Sequence, residues 1–194
     1  MHSEVQTSSG LKLWIALLRG INVAGRNKLP MAQLADSLRG LGLRRVTTYL
    51  QSGNVIFHGP EVAPSRLADE IGNGLFARFG FRPLILLLTR DELRQVLADN
   101  PFRHIHSVDE TLHCFFLFKP ATAPDTNGLN AARSAREQWV LKNGVLFLSA
   151  PDGFGQSKLA AKVEKLIGVP ATARNWRTIT QLCEIADAQQ ESAS

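Results

Sequence analysis

Apolar residues recur along this chain with two periods, one typical of strands and one typical of helices. Leu11 to Leu18 is apolar apart from Lys12, which predicts a buried strand. Leucines recur on one helical face between Pro30 and Leu41, and Gly42 follows as a residue that can end the predicted helix. The other elements of the first half are predicted at Val46 to Leu50 (strand), Asn54 to His58 (strand), Pro64 to Phe79 (helix) and Pro83 to Thr89 (strand).

This order, β-α-β-β-α-β, is that of a ferredoxin-like fold. The two middle strands flank Gln51-Ser52-Gly53, which predicts a tight hairpin. The strand at Pro83 to Thr89 is so continuously apolar that we expect it to be buried on both faces. A linking helix is predicted from Asp91 to Asp99, and Asn100-Pro101 ends it.

The same order of elements begins again in the second half of the chain. Its clearest feature is a hairpin across Lys142-Asn143-Gly144, because Asn-Gly favours a two-residue turn. The predicted elements are Leu112 to Phe118 (strand), a helix within Thr126 to Arg136, Trp139 to Leu141 and Val145 to Leu148 (strands), Gln156 to Ile167 (helix), Val169 to Ala173 (strand) and Thr178 to Ala188 (helix).

The two hairpins also resemble each other in sequence, which aligns Val55 with Val145 and Phe57 with Phe147. We therefore predict an α+β fold of two ferredoxin-like (βαββαβ) halves packed as a pseudo-duplicated unit. The predicted segments are a disordered N-terminus (1–10), a first subdomain with its linking helix (11–99), a second subdomain with the C-terminal helix (100–187) and a disordered tail (188–194).

Composition indicates a cytoplasmic protein. Of its 194 residues, 44% are hydrophobic and 20% charged, as in ordinary globular domains. No apolar run approaches the roughly 20 residues that span a bilayer, and the N-terminus has no hydrophobic signal core. Cys114 and Cys183 are expected to be reduced and buried.

The net charge of +5 lies entirely in the first half of the chain. Residues 1–97 contain twelve Lys or Arg and seven Asp or Glu, whereas residues 98–194 contain ten of each. A cationic half favours anionic ligands, although a plain solvated surface would have the same composition.

Four segments rich in Gly, Asn and cations interrupt the pattern, and the first follows the first strand. It contains Arg19, Gly20, Asn22 and Lys28. A strand that leads through such a loop into a helix presents backbone N–H groups and positive charge to an anion. It matches neither the Rossmann nor the P-loop pattern, and tight turns require the same glycines and asparagines.

The second segment is the hairpin with Gln51, Ser52 and Asn54, where a tight turn requires Gly and Asn in any case. A binding role is favoured by the topology, because the strand before this hairpin neighbours the first strand in many ferredoxin-like sheets. The third contains Ser157 and Lys158, which we expect at a helix N-terminus. A lysine there opposes the helix dipole, which favours anion binding over simple capping by Ser157.

The fourth segment contains Arg174, Asn175 and Trp176, just before the last helix. An arginine beside a tryptophan could bind a phosphate or stack on a ring. In the alternative interpretation, Trp176 packs in the core and either Asn175 or Thr178 caps the helix.

Other kinds of site lack the necessary residues. His104 and His106 have no third ligand at a fitting spacing, so no metal site is expected. No motif names a cofactor, and the sequence lacks G-x-S-x-G, H-E-x-x-H and C-x-x-C. The phenylalanine-rich strand after Cys114 lacks the RNP1 pattern of RNA-binding strands and is expected in the core.

The segments LLRGINVAGRNK, TYLQSGNV, PDGFGQSKL and TARNWRTIT, in this order and spacing, resemble the bacterial domain-of-unknown-function family 1697 over roughly residues 11 to 187. The resemblance implies two ferredoxin-like subdomains and no established activity, substrate or cofactor. The family's usual opening loop has glycine where Ala24 stands and lysine where Arg26 stands, so the loop conformation at Ala24 is in question. The implied ligand-binding positions are Arg19, Gly20, Asn22, Lys28, Gln51, Ser52, Asn54, Ser157, Lys158, Arg174, Asn175 and Trp176.

The leading hypothesis is a protein that binds a small phosphate- or carboxylate-bearing ligand in a cleft between its halves. One alternative is a transferase- or hydrolase-type enzyme with Ser157 as nucleophile and Lys158 as its activator. Another is a nucleic-acid-binding module, which rests on the basic half and Trp176.

Overall fold

The structure is a computed structural model that describes residues 10–23, 25–104 and 108–192. The chain forms two compact units, of which the second is Asp91–Cys183 and the first combines the chain up to Arg90 with the segment from Glu184 onward. The division falls after Arg90, whereas the sequence pattern places it after Asp99. The linking helix therefore belongs to the second unit.

The first unit contains one sheet with two helices in the predicted order, and the C-terminal part of the last helix is added to it. Its elements are β1 (Leu11–Arg19), α1 (Met31–Gly40), β2 (Arg44–Tyr49), β3 (Asn54–Pro60), α2 (Pro64–Phe79) and β4 (Leu84–Thr89).

The second unit repeats this order after two short helices. Its elements are α3 (Arg90–Ala98), α4 (Val108–Thr111), β5 (Leu112–Leu117), α5 (Thr126–Ala132), β6 (Gln138–Lys142), β7 (Val145–Ser149), α6 (Val163–Ile167), β8 (Ala171–Asn175) and the start of α7 (Trp176–Glu191).

Each unit is a four-stranded antiparallel sheet of the same topology. The strand orders are β2-β3-β1-β4 and β6-β7-β5-β8. Both are the ferredoxin-like βαββαβ arrangement. The predicted α+β fold of two pseudo-duplicated halves is confirmed.

The core of the first unit forms where alternate residues of β1 face its helices. Trp14 and Leu18 of β1 are buried in one apolar cluster. Leu34 of α1 and Ile71 of α2 are buried in the same cluster. The intervening residues of β1, such as Ile15, point to the other face of the sheet and are buried there.

The register of the second sheet corrects the predicted alignment of the two hairpins. Ala16 pairs with Val55 in the first unit, and Phe115 pairs with Leu146 in the second. Val55 and Leu146 both belong to the cores that contain the helices of their units. Leu146, not Val145, is therefore the counterpart of Val55, since a shift of one residue moves a side chain to the opposite face.

The expectation that β4 is buried on both faces is wrong. Leu84 is 45% exposed, and Leu86 and Leu88 are only half-buried. β4 lies at the edge of its sheet, where it has a neighbour on one side only. An apolar run does not distinguish such an edge strand from a central one.

The predicted helix from Gln156 to Ile167 is wrong in its first half. Ser157 is extended, with φ −71° and ψ 114°, and it separates two short 3-10 turns. Gly153, with φ 103°, has already turned the chain away from a helical path. Regular helix begins only with α6, so Ser157 and Lys158 do not open a long helix.

The last strand and helix also differ from their predicted bounds. β8 includes Arg174 and Asn175, and α7 runs to Glu191, into the segment expected to be a tail. Arg45 donates hydrogen bonds to the carbonyl oxygens of Gln189 and Ser192, at 3.3 and 3.1 Å. These bonds hold the end of α7 against β2 within the first unit.

Replacing Gly53 by alanine should destabilise the protein more than the same change at Gly144. Both glycines have positive φ, 77° and 75°, which costs alanine about 1–2 kcal/mol. A Cβ at Gly53 would also lie 2.7 Å from Ile21 Cδ1, whereas a Cβ at Gly144 would have no other atom within 4 Å. We expect a further loss of about 1–3 kcal/mol for Gly53→Ala, measured by urea denaturation. Equal losses would contradict the predicted clash.

The free energy of unfolding should decrease as the pH falls below about 6.5. Both ring nitrogens of His58 are buried without a hydrogen-bond partner within the described residues, and burial, followed by the charge of Arg45, lowers the pKa of His58. Burial also lowers the pKa of His113. In this pH range the two histidines therefore bind more protons in the unfolded chain than in the folded protein. The free energy of unfolding decreases as the pH is lowered. Urea denaturation at about pH 7.5 and 5.5 should show a smaller loss for His58→Leu than for the wild type; equal losses would refute this.

Candidate functional site

The side chain of Asn22 holds the opening loop, residues 20–30, in place. Its Nδ2 donates to the carbonyl oxygens of Leu29 and Gln51 at 2.9 and 2.8 Å, and its Oδ1 accepts from the N–H of Leu29 at 2.8 Å. Its backbone is left-handed, with φ 54°, which asparagine tolerates better than most residues. Asn22 therefore positions the loop against the first hairpin.

The first hairpin closes around the buried side chain of Asn54. Its Nδ2 donates to the carbonyl oxygen of Tyr49 and to Oγ of Ser52, both at 2.9 Å. The carbonyl oxygen of Gly53 accepts from the N–H of Leu18 at 2.8 Å. The structure thus brings two of the predicted segments, the opening loop and the hairpin, together at one end of the first sheet.

The opening loop has a cationic surface. Arg26 and Lys28 are exposed, and Arg19 is half-buried. Asn27 donates from Nδ2 to the carbonyl oxygen of Gly20 at 2.8 Å and braces the base of the loop. The question raised by Ala24 lies outside the described residues.

The other two predicted segments lie at one end of the second sheet. Leu112 pairs with Ser149 and His113 pairs with Asn175, so the C-terminal ends of β7 and β8 both lie beside the start of β5. The segment that contains Ser157 follows β7. The structure therefore groups the four segments in pairs, one pair in each unit.

Arg174 and its neighbours are mostly enclosed in the second unit. The guanidinium of Arg174 donates to Oγ1 of Thr172 at 2.8 Å and to the carbonyl oxygen of Ala173 at 2.7 Å, and burial lowers its pKa to about 10. Asn175 Oδ1 accepts from the N–H of Thr178 at 2.9 Å and so caps α7. Trp176 is buried. These contacts match the alternative in which Trp176 packs inside and Asn175 caps the helix.

A groove of about 350 Å³ lies beside the open end of the second hairpin. Gln138 at the start of β6 pairs with Ser149 at the end of β7, so the chain before β6 runs beside the chain after β7. The polar residues that line the groove are Arg133, Ser134, Glu137, Asp152, Gln156, Ser157 and Lys158.

Ser157 and Lys158 differ in their exposure within this groove. Ser157 is buried, and its Oγ accepts from the N–H of Ala160 at 2.8 Å. This contact caps the following turn and leaves the hydroxyl proton able to donate. Lys158 is exposed, so its ammonium can reach a bound molecule.

Sequence reasoning overlooked Arg133 and Glu137. Glu137 is only 4% exposed, and its Oε2 accepts from the N–H of Ser134 at 2.7 Å. Arg133 donates from Nη1 to the main-chain carbonyl oxygen of Glu137 at 2.9 Å. A single charged residue before a short strand is a common surface pattern, so the sequence contained no signal that this carboxylate is buried.

The first unit has a groove at the corresponding place, with different chemistry. Its volume is about 410 Å³, and it lies beside the chain that precedes β2 and follows β3. Its lining is mainly apolar: Leu41, Leu43, Pro60, Leu67, Glu70, Ile71, Asn73 and Gly74. The shared topology therefore explains the groove, and the sequence of the second unit makes it polar.

The described part of the chain contains no cluster of the metal-binding kind. No three His, Cys, Asp or Glu residues there are grouped so that they could hold a metal ion. Cys114 and Cys183 are both buried and form no disulfide bond among the described residues, and burial raises the pKa of Cys114. None of the described helices is long and apolar enough to cross a membrane.

The family match covers the sheet of the first unit with its helices α1 and α2 and extends into the second unit. The family model described as "Protein of unknown function (DUF1697)" matches residues 11–147. The chain belongs to this family. The match includes the opening loop, the first hairpin, Arg133 and Glu137, and it ends before Ser157.

A solved structure shows the same fold as this DUF1697 protein. It is "The structure of conserved bacterial protein SP0830 from Streptococcus pneumoniae", with a TM-score of 0.73 and 20% identity over 91% of this chain and 99% of that chain. Similarity at this identity establishes the fold alone. Comparison with curated proteins gives no significant match.

Replacing Asn22 by aspartate should destabilise the first unit more than the same change at Asn27. Aspartate at position 22 loses both amide donors, to Leu29 and Gln51, whereas at position 27 it loses one, to Gly20. We expect the free energy of unfolding to fall by about 2 kcal/mol for Asn22→Asp and about 1 kcal/mol for Asn27→Asp, measured by urea denaturation. Equal effects would show that the Asn22 bonds do not support the loop.

Proposed function

We propose that this protein binds a small phosphate- or carboxylate-bearing ligand in the polar groove of the second unit. The observation that carries the proposal is that Arg133, Ser157 and Lys158 line one groove of about 350 Å³. This volume is within the range of small-molecule sites. A guanidinium, a hydroxyl and an ammonium are the side-chain donors that bind such anions.

The apolar groove of the first unit supports this proposal. Both grooves occupy the same place in the ferredoxin-like topology, so the fold does not require a polar lining. Arg133 and Lys158 lie outside the strands of the sheet, and a bound anion would account for their presence in the groove.

The opening loop remains a second candidate place for an anion. Arg19, Arg26 and Lys28 belong to a loop that Asn22 holds, but the charges of Arg26 and Lys28 lie on an exposed surface. Arg133 and Lys158 are exposed too, but they line one groove together with the buried Ser157, and Arg26 and Lys28 do not line that groove. The second unit's groove is therefore the preferred site.

An enzyme of transferase or hydrolase type is the alternative that the groove also favours. Ser157 keeps a hydroxyl proton to donate, and Lys158 and Glu137 line the same groove as groups that can carry protons. The nucleic-acid alternative is weaker, because Trp176 is buried and does not offer its ring to a base.

Calorimetric titration with inorganic pyrophosphate tests the proposal. Lys158→Gln should weaken binding about fivefold to tenfold, because a charge-assisted hydrogen bond is lost. The matched control is Lys165→Gln, which removes an exposed lysine of α6 outside the groove and should leave the affinity unchanged.

Two results would count against binding in the groove. If both lysine variants weaken pyrophosphate binding equally, the affinity depends on net charge and not on the groove. If pyrophosphate does not bind the wild type, the proposal is wrong. Release of inorganic phosphate during the titration would favour the enzyme alternative.

A further inference from the structure

We propose that the preferred ligand of this groove also carries a positively charged amine, which Glu137 binds. The ligand class is then a small zwitterion with an amine at one end and a phosphate or carboxylate at the other. This inference rests on the proposed function and names its substrate class.

Glu137 is a buried acidic residue of this groove. A carboxylate that is 4% exposed is costly unless a cation or several hydrogen-bond donors compensate for lost water. Among the described residues, its side chain has one hydrogen bond, from the N–H of Ser134 to Oε2. Arg133 contacts the main-chain oxygen of Glu137 rather than its carboxylate.

The acceptor capacity of Glu137 exceeds this single bond. An ionised carboxylate can accept about four hydrogen bonds, and an ammonium group supplies three donors. Glu137 is one of the residues that line the groove, which is where the proposed ligand would meet its carboxylate. An amine of the ligand would provide the missing positive charge.

The remaining charges of the groove fit a ligand of both signs. Lys158 and Arg133 would bind the anionic end, and Glu137 would bind the amine. Asp152 already pairs with Arg136 and is not needed for the amine. A groove that offers groups of both charge signs selects a zwitterion over a simple anion.

A matched pair of ligands tests the inference. 2-Aminoethyl phosphate and ethyl phosphate share the phosphate and differ in the amine. We expect the wild type to bind 2-aminoethyl phosphate at least about fivefold more tightly in calorimetric titration. Glu137→Gln, which keeps an acceptor for Ser134, should reduce this preference to about one and leave ethyl phosphate bound. The control, Glu110→Gln, changes an exposed glutamate outside the groove and should retain the preference.

The outcomes separate this inference from the proposed function. Equal binding of the two ligands by the wild type would overturn the amine site and leave anion binding intact. Binding of neither would overturn the proposed function. If Glu137→Gln does not fold, the N-acetyl derivative of 2-aminoethyl phosphate gives the same test on the wild type: it lacks the charge and should bind like ethyl phosphate, whereas full affinity would refute the inference.

Discussion

Antiparallel pairing of each hairpin places the chain before its first strand beside the chain after its second strand. In the second unit, the pair Gln138 and Ser149 sets this arrangement, and the groove lies just beyond it. Arg133 and Lys158 are distant in sequence but line the same groove for this reason. The site therefore depends on this pairing, because a shift of β6 along β7 would displace the residues before β6 relative to those after β7.

Much of the fold could be predicted from the sequence. Apolar periodicity located α2 at Pro64–Phe79, and Asn143-Gly144 located the second hairpin. The errors have physical causes. An apolar edge strand such as β4 resembles a buried one, and the extended Ser157 interrupts a run whose composition is helical.

The candidate site was predicted only in part. The glycines that precede Ser157 and Lys158 marked them as part of a candidate anion-binding segment, whereas Arg133 and Glu137 belong to no motif. Burial of Glu137 results from tertiary packing and has no local sequence signal. Conversely, the side chain of Asn22, which resembles a ligand-binding group in sequence, forms hydrogen bonds within the protein. Short polar residues at turns serve both purposes, and sequence alone does not separate them.

The central claim is that the polar groove of the second unit binds a small ligand that carries an anionic group. Titration of ¹⁵N-labelled protein with 2-aminoethyl phosphate, followed by amide chemical shifts, tests it most directly. The claim predicts saturable shifts concentrated at residues 131–137 and 152–158, which border the groove. Shifts concentrated in the opening loop, residues 20–30, or no saturable shifts at all, would contradict it.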